Sequence, residues 1–167
     1  MFKKTRSKLL LVTAVVVAGL LAWAILAQAA PRKADGSAAI RGAGTSLVRA
    51  GTGAPSFTPV MTKFGFSWRA GHGGFECLAL VPSVDAGKPG SGNFDVNAMY
   101  ATGSLTAARI EGQTAVLEGT ATVTGLGAGT DTPFTATVTR GGPGATLLLQ
   151  VSGLTFDEIV LDGQIRF

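Results

Sequence analysis

The chain has one histidine, His72, and one cysteine, Cys77. A thiol and an imidazole are the smallest pair able to do nucleophilic catalysis, with the base drawing the proton from the attacking group. Their settings point elsewhere. His72 stands in A-G-H-G-G (70–74), among glycines that tolerate positive φ, which reads as a turn. Cys77 alternates with Phe75, Ala79 and Val81 on an apolar face, the setting of a buried, inert thiol. A lone histidine with no cluster of ligands around it is also a poor metal centre.

Oxygen chemistry fares no better. Asp85, Asn93 and Asp95 flank the segment Pro82–Gly92 and offer calcium ligands, but without the Asp-x-Asp-x-Asp-Gly spacing of a dedicated loop. Asp157 and Glu158 are adjacent, so a strand turns them to opposite faces and they do not form a carboxylate pair. The simpler reading there is a turn followed by an outward charge. No G-x-S-x-G elbow supplies a serine for His72. The run G-L-G-A-G (125–129) has no following helix and is not a nucleotide loop. No catalytic residue, metal ligand or cofactor is assigned, and the chain reads as a non-enzyme. The residues singled out for ligand binding are Phe64, Phe66 and Trp68, which share one face of a strand.

The elements that position these residues are strands. From Phe57 onward no segment carries the i, i+3, i+4 apolar spacing of an amphipathic helix, and alternation dominates. Val60, Thr62, Phe64, Phe66 and Trp68 oppose Met61, Lys63, Gly65, Ser67 and Arg69, and the next run, Phe75 to Val81, pairs with them as a hairpin. Residues 113–142 form the clearest hairpin: Ala115, Leu117, Ala121, Val123, Phe134, Ala136 and Val138 face inward, and a series of threonines faces water. Phe94, Val96, Ala98 and Tyr100 form another apolar face, as do Ile159, Leu161, Ile165 and Phe167 at the end. The prolines and glycines of Pro82–Gly92 break the ladder. The expected architecture is one all-β domain over 57–167, an antiparallel sandwich or small barrel of about eight strands connected largely as a meander.

Residues 1–29 read as an export signal. Lys3, Lys4, Arg6 and Lys8 precede the apolar run Leu9–Ala27, and A-Q-A (27–29) offers a cleavage site. The run is long enough to span a bilayer if uncut. Residues 30–56 read as a Gly/Ala/Ser-rich linker, with Ser46–Arg49 as a short edge strand in the alternative. The whole chain carries a formal charge of +4, but residues 1–29 hold four of its fourteen basic side chains and none of its ten acidic ones. The remainder is therefore neutral, which gives no footprint for nucleic acid or anionic lipid. With a single cysteine, no intrachain disulfide can form.

At F-G-F-S-W-R (64–69), S-G-N-F (91–94), S-L-T (104–106) and A-V-L-E-G-T-A-T-V-T-G with F-T-A-T-V-T-R-G-G-P-G (115–144), the chain resembles secreted bacterial β-domains of the post-choice-of-anchor type. The resemblance implies a β fold and export and adds no catalytic residue. The expected role is that of a secreted, periplasmic or surface-associated module that binds or supports, its partner being a protein, a cell surface or a small hydrophobic ligand. Three alternatives stay open. They are a lipocalin-like carrier lined by Phe64, Phe66 and Trp68, a small outer-membrane barrel, and a minor hydrolase using His72 and Cys77.

Overall fold

The computed structural model describes residues 32–33, 38–53, 59–83 and 93–167. The expected signal, residues 1–29, and most of the Pro82–Gly92 connection lie outside the described residues. Among the described residues nine strands follow in order: β1 (Arg32–Lys33), β2 (Ile40–Ala50), β3 (Met61–Arg69), β4 (His72–Pro82), β5 (Phe94–Glu111), β6 (Thr114–Gly125), β7 (Gly129–Thr139), β8 (Thr146–Val151) and β9 (Leu154–Arg166). From β2 to β9 each strand pairs antiparallel with the next. β9 then returns to pair with β2, which closes an eight-stranded meander barrel. The short β1 adds to β5 beyond the reach of β4, opposite Arg109 and Ile110.

An eight-stranded barrel has an interior just wide enough for side chains to fill, and here they fill it. Ile40, Leu117, Leu147, Leu149, Val138 and Ile165 are completely buried. Phe75 of β4 and Phe134 of β7 meet with ring centroids 4.7 Å apart, although β5 and β6 stand between their strands in the wall. The rings therefore meet across the lumen. Phe75 pairs with Gly103 of β5, and Phe134 with Gly119 of β6, which makes room for its ring. A Cβ built on Gly119 would lie 3.0 Å from the Phe134 ring and 2.1 Å from the Ser104 carbonyl oxygen. The volume withheld at glycine is spent on phenylalanine.

Three sequence expectations are corrected. Residues 40–50, read as linker, form β2, which pairs along its length with both β3 and β9. Gly42 hid it, because a strand residue is expected to carry a side chain; a Cβ there would sit 2.4 Å from the Phe66 ring, so the interior position must be glycine. On β5 the apolar face shifts. Leu80 pairs with Asn97 and Ala79 with Met99, leaving Ala98 as an extra residue. Met99 and Ala101 point inward and Val96 is 43% exposed, the reverse of the expected parity. On β9 the register slips between Thr45 and Ser46, whose partners are Asp162 and Val160, so Leu161 is the extra residue. Phe156, Glu158 and Val160 point inward before the bulge and Ile165 after it, while Leu161 is 47% exposed. The nearby Gly163, at φ +116°, takes a backbone conformation that side chains disfavour.

The hairpin of β6 and β7 follows its expected faces. Inward Ala115, Leu117, Ala121, Val123, Phe134, Ala136 and Val138 are buried, and Thr120, Thr122 and Thr124 are exposed. Replacing Phe134 by alanine should cost about 3–5 kcal/mol, the range for emptying a large buried aromatic. Thr122→Ala, on the exposed face, should stay within about 0.5 kcal/mol. Urea unfolding of the two variants checks the contrast, and equal effects would refute this assignment of faces.

Candidate functional site

Polar side chains meet inside the barrel at one level of the β9–β2–β3 wall. Ser46 of β2 stands opposite Thr62 of β3. Val48, two residues along β2, stands opposite Glu158 of β9. All three polar residues are completely buried. The Ser46 hydroxyl donates to Glu158 Oε2 at 2.5 Å and lies 2.5 Å from the Thr62 hydroxyl. Thr62 donates to the same Oε2. The other carboxyl oxygen, Oε1, is buried with no hydrogen-bond partner.

Among the described residues no cation pairs with this carboxyl. Burial pushes its pKa from an ordinary 4.5 up to about 7; the Ser46 and Thr62 hydroxyls oppose the rise, and the neighbouring charge of Asp157 adds to it. Asp157 faces outward and pairs with Arg49 at 2.6 Å on the surface. Cys77, inward on β4, has its thiol pushed well above the ordinary range, first by burial and then by the charge of Glu158. Both effects favour the thiol over the nucleophilic thiolate.

The sequence-derived candidates fall elsewhere. Phe64, Phe66 and Trp68 all point into the barrel and are 4–6% exposed. The Phe64 and Phe66 rings stack at 6.1 Å. Trp68 Nε1 is a second buried atom without a partner. His72 is exposed beside the β3–β4 turn, its Nδ1 3.2 Å from the Ala70 carbonyl oxygen. Cys77 lies five residues along β4 on the opposite face, roughly 17 Å of strand away. The pair does not meet. Asn93 and Asp95 are exposed, and Asp85 lies outside the described residues. Among the described residues no three His, Cys, Asp or Glu side chains come close enough to hold a metal ion.

The sequence reading missed Ser46, Thr62 and Glu158 as a group. Thr62 carried the available signal, as the one polar member of an otherwise apolar face. The outer wall over β2–β5 bears a shallow depression of about 450 Å³ whose floor includes Ala43, Gly65, Ser67, Gly74 and Thr102. Compared with protein-family models, characterised sequences and solved structures, the chain has no match.

A buried carboxyl with a raised pKa makes stability depend on pH in a defined direction. The unfolded chain releases this proton near pH 4.5 and the folded chain near 7. The contribution is complete below pH 4.5, is lost as pH rises from 4.5 to 7, and levels off above that. Its size is about 3 kcal/mol, at 1.36 kcal/mol per pH unit of displacement. Glu158→Gln removes the ionisation and keeps the shape. The variant should gain up to about 3 kcal/mol relative to wild type between pH 4.5 and pH 8 in urea unfolding. A difference that does not vary with pH would show that Glu158 is ionised throughout.

Proposed function

We propose that this protein is an exported, non-enzymatic β-barrel module whose interior is structural and whose outer wall carries a binding or supporting role. One observation supports the reading above others: the lumen is occupied, with Phe75 and Phe134 in contact across it. A carrier needs an open space between its aromatic residues, and Phe64, Phe66 and Trp68 instead belong to the continuous buried core. The outward set on β6 and β7 is mainly threonine, whereas a lipid-facing wall presents an apolar band. The last residue, Phe167, lies beneath the Arg140 guanidinium, 4.6 Å from the ring centre. The exported location rests on the basic and apolar segments at the N-terminus.

The chain lacking residues 1–29 should purify without detergent and show only the mass of the polypeptide under native mass spectrometry. A stoichiometric hydrophobic molecule in that spectrum would establish the carrier instead, and a need for detergent would establish the membrane barrel. Hydrolytic activity that disappears in the His72→Ala, Cys77→Ala double variant would establish an enzyme.

A further inference from the structure

The three oxygens of Ser46, Thr62 and Glu158 Oε2 make three mutual contacts of hydrogen-bond length. Each contact needs a proton, and the two hydroxyls bring only two. With the carboxyl ionised, both hydroxyls point at Oε2. The Ser46–Thr62 contact of 2.5 Å then sets lone pairs against each other. With a proton on Oε2, three protons serve three contacts. Each oxygen then donates once and accepts once, in a closed ring whose members polarise one another.

The location of the ring gives the proton a further consequence. Ser46 and Glu158 are 112 residues apart and belong to the two strands that close the barrel. Between β2 and β9 the register slips twice, between Thr45 and Ser46 and between Val48 and Ala50. The tied stretch, Ser46 to Val48 against Val160 to Glu158, is thus a short regular ladder between two irregularities. We infer that Glu158 is held in the core as a neutral acid, and that its proton is a latch on the β2–β9 seam, which loosens when the proton leaves.

Among the described residues, the groups facing the carboxyl offer no substitute charge. The thiol of Cys77 comes from β4, and Asp157, on β9 itself, is anionic and turned outward. β2 and β3 contribute the hydroxyls, with Arg49 and Lys63 exposed on the other face, and β8 sets Leu147 opposite Glu158. Once ionised, the carboxylate must draw in water or move toward it, because an unpaired buried charge is far costlier than a local opening. Both routes act on the β2–β9 ladder, which Ser46 and Glu158 join through this ring.

The sequence contains four glutamates, Glu76, Glu111, Glu118 and Glu158. Protein labelled with ¹³C at the glutamate carboxyl should therefore show four resonances, and Glu158→Gln identifies the fourth by its loss. The expected result is one resonance with the shift of a neutral acid at pH 6 and a midpoint near 7. Over the same range, protection factors of amides in residues 44–48 and 158–162 should fall tenfold or more relative to β6 and β7, and Glu158→Gln should abolish that fall. Four resonances all ionised at pH 6 would overturn the neutral acid. Titration near 7 with unchanged seam protection would overturn the latch. If Glu158→Gln does not fold, the wild-type shifts and protection factors decide both points.

Discussion

The pairing of β2 with β9 is the constraint on which the rest of this structure depends. A meander of eight strands has two free edges, and an open edge is a template for aggregation. Here the first and last strands of the barrel join, and no long edge remains among the described strands. Closure also fixes the interior volume, because the number of strands sets the diameter. What enters the lumen must then be matched in size across non-neighbouring strands. Phe134 occupies space that Gly119 leaves, and Phe66 lies against the bare backbone of Gly42. The many glycines of this chain are in part a property of its core.

The seam that closes the barrel is also where the core is polar. Burying a carboxyl costs far more as an anion than as a neutral acid, so a site without a cation favours the proton. Ser46 and Thr62 supply hydroxyls but no charge, and the pKa displacement to about 7 expresses the balance between burial and hydrogen bonding. The same arrangement ties packing to pH. An apolar residue at position 158 would fill the space without that dependence, so the polar ring links barrel closure to proton activity near neutrality. That coupling sits apart from the outer wall, the surface on which a binding or supporting role is proposed.

The all-β class, the meander and the faces of β3, β4, β6 and β7 were legible in the sequence because alternation runs unbroken through the buried stretches of those strands, the slip between β6 and β7 falling at Gly129–Thr132. Sandwich and barrel could not be told apart, since the difference lies in one long-range pairing. Two strands were misread for one physical reason. An extra residue reverses the parity of side chains. Ile159, Leu161, Ile165 and Phe167 look like one continuous face, yet the bulge at Leu161 turns the first two outward and Glu158 inward. The inward acid was thus hidden by an apparently regular pattern. Ser46 was hidden differently: it lies in a strand whose preceding interior positions, Gly42 and Gly44, have no side chain to advertise the face. His72 and Cys77 stood out only as the sole members of their types, and the fold places them on opposite faces of β4.

Backbone nuclear Overhauser effects between β2 and β9 test the closure most directly. This account predicts cross-strand contacts joining Ser46 with Val160 and Leu47 with Ile159, together with extended-strand chemical shifts through residues 40–50. Random-coil shifts for those residues, or a β9 that lacks any partner on its β2 side, would contradict it.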